Sequence, residues 1–423
     1  MQAANGVFGA ELRRRRDMAG YSQRGLADAL AALAWDDLRL RVGVDGNLVS
    51  RWERGTAQPR APYPDLLCRL FRTTPEQLGL RVGLPSHAGP GDGQAVIPFE
   101  PRMVIVDRMR RAGSSNVSDD TLDQLDRMTV DAVDEYERFG PAVLVPRLVE
   151  QRSWVEALFD GRQTFRQRGR LYRVAARLSG LLGSLAVDRG DMPTARAYCD
   201  EAYQLADLVD EDELRAWIRG TQALIEFYAG RFDRCLALAV DGLRYSHGGP
   251  QEARLLAQGQ ARAAGKLGDA HTVAVAVDRA RELAYPRPTG TVSPCLALDG
   301  YCPARVDGNA ATAFLAVGDL TSARRFAYAA LTRFDAAGMA GPRSLTRIDI
   351  AVTFLSDGEP DRAVHLVGEA LEISASRPIA TVAARTGQFL DAGRRFLPTA
   401  SMRDLTELAT EWQHTARPEL PGG

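Results

Sequence analysis

The run Val49-Ser50-Arg51-Trp52-Glu53-Arg54-Gly55 packs one large aromatic residue and three charges into seven positions and ends on glycine. Asp45, just upstream, offers a side-chain oxygen to the unsatisfied N–H groups of a helical first turn. Gly55 supplies the left-handed residue on which helices stop. The spacing predicts a helix over 45–55 in which Val49 and Trp52, three residues apart, share the inward face. About two dozen residues earlier, Ser22 is suited to cap a second helix running to Leu33, with Leu26, Ala27 and Leu30 along one side. A first helix, Val7 to Met18, carries Arg13-Arg14-Arg15-Arg16 and stops before Gly20. Pro59, Pro62 and Pro64 form a stiff connector, and Asp65 to Phe71 and Thr74 to Leu78 read as two closing helices. The first eighty residues thus read as a five-helix domain.

Ser22-Gln23 on helix 2 and Ser50 to Gly55 on helix 3 make this segment resemble the phage-repressor, xenobiotic-response-element class of helix-turn-helix domains. The resemblance covers roughly 70 residues of a domain set at 1–80 and implies that helix 3 enters a major groove of double-stranded DNA. By that resemblance Gly46, Asn47 and Arg51 take the base-facing positions, and Ser50 is a further DNA-binding residue. Asn can pair bidentately with adenine and Arg with guanine, each worth about 1–3 kcal/mol of discrimination. Gly46 offers no side chain to a base, only close backbone approach. Ser22 and Gln23, at a helix N-terminus, suit a phosphate, and Arg24 and Arg54 are further backbone contacts. Glu53 is expected to pair with Arg16 inside the domain. One departure stands out. The link from Ala34 to Val44, with Trp35, Asp36, Asp37, Arg39 and Arg41, is longer than the family's tight turn. Either helix 2 extends or a loop projects.

The chain has 423 residues, enough for two or three domains. Its formal net charge is −1, but residues 1–80 hold twelve Arg against nine Asp and Glu, a net of +3. That asymmetry runs in the direction a DNA-binding segment needs. No apolar run of membrane-spanning length and no secretory signal pattern occurs, so a cytoplasmic protein without membrane contact is expected. The five Cys (68, 199, 235, 295 and 302) include no CxxC pair, which argues against zinc. Cys295 and Cys302 are close enough in sequence for a disulfide, or stay reduced in a cytoplasm. The five His (87, 247, 271, 365 and 414) never share metal-ligand spacing, and neither HExxH nor GxSxG occurs. No catalytic residue, metal or cofactor is expected.

Residues 81–101 are rich in Gly and Pro, without periodicity, and read as a flexible linker. Residues 102–164 read as a helical connecting or dimerisation segment. Beyond them, Gly190, Gly230, Gly268, Gly318 and Gly358 each interrupt a helical pattern, at spacings of 40, 38, 50 and 40. Seven residues before these glycines stand Gly183, Ala223, Ala261, Ala311 and Ala351. Five after stand Ala195, Cys235, Val273, Ala323 and Ala363, and twelve after stand Ala202, Gly242, Ala280, Ala330 and Ala370. Two antiparallel helices joined at a glycine approach closely only where both carry small side chains. The register resembles the tetratricopeptide repeat, which implies an all-α protein. A helix-turn-helix domain is followed by an α-solenoid of helical hairpins over 165–415.

In such a solenoid the first helix of each hairpin lines a concave groove. Groove-facing residues are expected to include Arg177, Trp217, Phe227, Tyr228, Gln258, Arg262, Arg305, Asn309 and Thr312. Aromatic and Arg side chains together suit a small acidic or peptide ligand. A turn-rich insertion from Tyr285 to Pro303 widens the third gap and would serve as a lid, a dimer contact or neither. The layout resembles two bacterial groups. One is the peptide-pheromone receptors of quorum sensing. The other is the actinobacterial regulators found among secondary-metabolism genes. The resemblance implies a homodimeric transcription regulator on an inverted-repeat operator, with a repeat domain that dimerises, senses a signal, or both. The pheromone receptors hold peptide backbone with several Asn, and this array has one, Asn309. A small molecule or protein is therefore as good a candidate as a peptide. The competing reading is an interaction scaffold whose N-terminal domain docks on protein.

Overall fold

A computed structural model describes residues 2–38, 40–80, 100–284 and 292–416. Most of the expected linker (81–99), the first part of the expected insertion (285–291) and Arg39 lie outside the described residues. The chain divides into two compact units, Met1–Phe99 and Glu100–Gly423. Among the described residues both are helical, with no strand, and no helix is long and apolar enough to cross a membrane.

Among the described residues the first unit has four helices: α1 (Gln2–Met18), α2 (Gln23–Leu38), α3 (Gly46–Glu53) and α4 (Tyr63–Leu70). The local signals operate as expected. Gly20 takes φ +74° after α1 and Gly55 takes φ +70° after α3. The Ser22 hydroxyl accepts the Gly25 N–H at 2.9 Å, and the Asp45 carboxylate accepts the Leu48 N–H at 2.7 Å. Val49 and Trp52 are buried with Phe8, Leu12, Leu26, Leu30, Leu66 and Leu67, and the Trp52 ring meets Tyr63 at 5.1 Å.

Three boundaries differ from the sequence reading. α1 begins at Gln2, not Val7. α2 runs on to Leu38, because residues 31–38 contain no breaker and Ala34 continues the buried face, so the first part of the long link, residues 34–38, is helix. Thr74 to Leu78 is not a fifth helix. It makes one turn, closed by bonds from Leu78 N to Thr74 O (3.1 Å) and from Leu80 N to Pro75 O (2.8 Å), before Gly79 reverses the chain at φ +73°.

Gly9 marks a close approach the sequence did not signal. A Cβ there would stand 2.4 Å from the Glu53 carbonyl oxygen and 2.9 Å from that of Trp52. Gly9→Ala is expected to destabilise this unit by about 1–3 kcal/mol through overpacking. Thermal unfolding of the full chain followed at its first transition checks this.

The second unit opens with α5 (Arg102–Ala112), α6 (Asp119–Glu135) and α7 (Pro141–Phe159). Five hairpins follow. They are α8 (Phe165–Arg189) with α9 (Met192–Leu208), and α10 (Asp212–Tyr228) with α11 (Phe232–Leu243). In the third, α12 (Pro250–Arg254), a π-helical segment (Leu255–Ala261) and α13 (Arg262–Lys266) together face α14 (Ala270–Leu283). The last two are α15 (Pro303–Val317) with α16 (Leu320–Ala337), and α17 (Ala340–Ser356) with α18 (Pro360–Ser374). α19 (Ala380–Ala392) and α20 (Ala400–Ala416) finish the unit.

The glycine register holds throughout. The five hairpin glycines all lie in the left-handed region, with φ from +73° to +84°. Asp191, Asp269 and Asp319, each next to such a glycine, cap the following helix through bonds from Thr194, Thr272 and Ser322 N–H at 3.0–3.1 Å. All fifteen aligned small positions are buried. At Gly183 an added Cβ would stand 2.6 Å from Cys199 Sγ, and at Gly242 one would stand 2.7 Å from Leu255. All five cysteines are free.

The array is not an open solenoid. Its end returns to its beginning, where Arg377, just before α19, reaches residues at the start of the unit. Its Nη2 donates to Asp188 Oδ2 at 2.8 Å and to the Tyr136 carbonyl at 3.0 Å, and its Nε donates to the Phe139 carbonyl at 3.1 Å. The described part of the expected insertion, residues 292–302, runs inside this ring. Trp217 Nε1 donates to Leu296 O at 2.9 Å, and Gln251 Nε2 donates to Ala297 O (2.9 Å) and Leu298 O (3.1 Å). Ser293, Leu296, Ala297, Tyr301 and Cys302 are buried. The expected concave groove is therefore a partly closed interior, crossed by an irregular stretch of the protein's own chain.

Candidate functional site

Two places gather the candidate residues, one in each unit. In the first unit, the side of α3 opposite Val49 and Trp52 carries Asn47, Arg51 and Arg54, all exposed, with Ser50 half-buried between them. The Arg51 guanidinium has no partner among the described residues, and Arg54 Nε makes one bond of 3.3 Å to Ser50 O. Arg24 is exposed at the start of α2. Ser22 already accepts its capping bond, and its hydroxyl hydrogen remains available to an acceptor.

Two expected contact residues serve inside the unit instead. Gln23 Nε2 donates to Glu53 Oε2 at 2.7 Å, so its amide is committed to Glu53 rather than projecting toward a phosphate. Glu53 also receives Arg16 Nε at 2.5 Å, as expected, and Arg16 Nη1 donates to Tyr21 O at 2.7 Å. Gly46 is a packing glycine, since a Cβ there would stand 3.3 Å from Arg24 N. The remaining Arg cluster on α1 is largely engaged. Arg14 and Arg15 flank Glu11, and Arg14 first among them draws its carboxyl down to about 2.

In the second unit the ring surrounds a partly open cavity of about 140 Å³. Six of the expected groove residues line it: Tyr228, Gln258, Arg262, Arg305, Asn309 and Thr312. The other three do not. Trp217 is buried against Gly180 and tethers the crossing segment. Phe227 lies under Arg262, with the guanidinium carbon 3.8 Å from its ring centre. Arg177 borders a separate cleft with Arg173 and Glu211, and burial lowers its pKa.

Most cavity charges come in buried pairs. Arg305 Nη2 donates to Glu137 Oε1 at 2.5 Å, Arg377 to Asp188 as above, and Arg385 to Asp349. Thr312 donates to Asp349 Oδ2 at 2.6 Å, and Tyr136 to Asp188 Oδ2 at 2.8 Å. Burial pushes the Glu137 carboxyl up, but the Arg305 and Arg377 charges outweigh it and leave the group below its ordinary value. For Asp188 burial wins and the carboxyl lies above its ordinary value.

Arg254 and Arg262, on either side of the π-helical segment, are different. Arg254 is fully buried and bonds only neutral groups: Gln258 Oε1 at 2.8 Å, Trp217 O at 3.0 Å and Thr221 Oγ1 at 3.0 Å. Desolvation lowers its pKa. Arg262 is 4% exposed and gives one bond, Nη1 to Asn309 Oδ1 at 3.3 Å, while its buried Nε and Nη2 have no acceptor.

Sequence reasoning missed Glu137, Asp188, Asp349, Arg254, Arg377 and Arg385. Asp188 and Asp349 do lie on first helices of hairpins, where an acid at a buried register position was the available signal.

Residues 12–84 match the family described as the SP15 N-terminal domain, so the likeness is confined to the first unit. None of the curated proteins matches the chain.

Proposed function

We propose that the protein is a sequence-specific DNA-binding transcription regulator whose repeat unit receives a chemical signal. One observation carries the reading. α3 is anchored by Val49 and Trp52 and held at its far end by the Glu53–Arg16–Gln23 cluster, yet it presents Asn47 and Arg51 outward with no internal partner for the Arg51 guanidinium. A short helix fixed on one side, with an amide and a free guanidinium on the other, suits base edges in a major groove. Arg24, Arg54 and the Ser22 hydroxyl, all exposed, are available for phosphate contacts beside it. Two such heads in a homodimer, about 34 Å apart, would read an inverted repeat. The apolar residues Met103, Ile105, Val106 and Met109, exposed on α5, support self-association near residues 102–164. The small volume of the cavity, about 140 Å³, supports a small ligand over a linear peptide.

The test is a gel-shift titration against sites selected from random duplex DNA. Arg51→Ala is expected to lose about 1–3 kcal/mol of affinity and to relax preference at one base position. Binding by the wild-type chain is expected to fall by orders of magnitude from about 50 to about 200 mM salt. Equal affinity of the variant, or no saturable duplex binding at low salt, would reject the reading and favour a scaffold that docks on protein.

A further inference from the structure

We infer that the ring interior binds a small organic monoanion, a carboxylate on a flat apolar body, with the carboxylate received by Arg262. The inference rests on the reading of the repeat unit as a sensor and names the class of its signal.

The argument begins with charge. Five arginines stand in or beside the interior (254, 262, 305, 377 and 385), against three carboxylates (137, 188 and 349), and each carboxylate is taken by one Arg. Arg254 satisfies its donors on neutral acceptors and does not border the cavity. Arg262 borders it, and no acidic side chain among the described residues pairs with it. A buried guanidinium without a counter-ion is costly, and its natural complement is an acidic group brought from outside.

Geometry narrows the class. The two donors without acceptors, Nε and Nη2, form one edge of the guanidinium and match the two oxygens of a carboxylate; both atoms are covered in the unliganded structure, so a ligand reaches them by displacing the side chains over them. Asn309 Oδ1 holds Nη1 and Phe227 supports the plane from beneath, so that edge is fixed before any ligand arrives. Tyr228, Leu224, Leu345 and Ile379 supply apolar wall. The cavity's 140 Å³ suits a benzene-sized group.

Isothermal titration of the full-length protein, without DNA, tests this with benzoate, phenylacetate and 3-phenylpropionate, each beside its primary amide. At least one carboxylate is expected to bind saturably, one per chain, and at least tenfold more tightly than its amide. Arg262→Met is expected to abolish that binding without lowering the melting temperature of the unliganded protein, because it removes a buried charge that lacks a partner. Arg262→Lys keeps the charge but not the fork and is expected to bind at least tenfold more weakly than wild type. No binding by any of the three acids, equal binding of acid and amide, or unchanged binding by Arg262→Met would overturn the inference. So would a fall in melting temperature of Arg262→Met matching that of a core deletion, with Arg262→Gln behaving alike. A chain that shifts DNA but binds no acid loses only this inference. One that binds the acid but no duplex loses only the regulator reading.

Discussion

Replacing Arg377 by alanine is expected to cost about 3–5 kcal/mol of stability, the loss typical when one member of a buried ion pair is removed. Arg377 is 4% exposed and Asp188 is 6% exposed, so neither has water to fall back on. Without the guanidinium, Asp188 keeps only the Tyr136 hydroxyl, and the Tyr136 and Phe139 carbonyls lose their donor. Urea unfolding of the full chain measures the loss, and hydrogen exchange should place the earliest opening in α6, α8 and α19. Asp188→Asn combined with Arg377→Met is expected to recover most of it, because a neutral pair no longer leaves a stranded charge. A loss below about 1 kcal/mol, the level of an exposed pair, would show that this contact does not hold the ring closed.

Trp217→Ala is expected to be comparably damaging, about 3–5 kcal/mol, the range for a large buried aromatic side chain. Two effects combine. The ring fills the space over Gly180, where even a Cβ would stand 2.2 Å from it, and its Nε1 holds the Leu296 carbonyl. Trp217→Phe separates them, since it keeps most of the packing and removes the bond, for about 0.5–1.5 kcal/mol plus the cost of the orphaned carbonyl. Limited proteolysis provides the second readout. Both variants should become more susceptible within residues 292–302, the alanine variant the more so. Unchanged resistance in both would mean that Gln251 and Arg305, which hold Ala297, Leu298 and Ser293, suffice to retain the segment.

What could be read from the sequence was what depends on short range. A left-handed backbone at Gly190 or Gly318, an Asp cap at the next residue and a small side chain every few positions each leave a mark on residue type. Ring closure leaves none, because Arg377 and Asp188 are 189 positions apart and resemble ordinary surface charges in a list. The crossing segment was illegible for another reason. Its bonds from Trp217 and Gln251 end on backbone carbonyls, which any residue supplies. Gln23 shows the same limit in the first unit. Its place at a helix start suggested a phosphate, while its partner Glu53 lies thirty residues on. Part of the cavity lining was nevertheless anticipated, since helical register alone put Tyr228, Arg262, Arg305 and Asn309 on the inward side.

Open superhelices stretch and coil like springs, so a ligand can tune them by degrees. A hoop latched by Arg377 has no such soft direction, because its pitch changes only if the latch lets go. The Arg305–Glu137 pair adds a second tie from the fourth hairpin to the start of the unit, so a change of pitch requires buried ion pairs to part rather than a gradual bend.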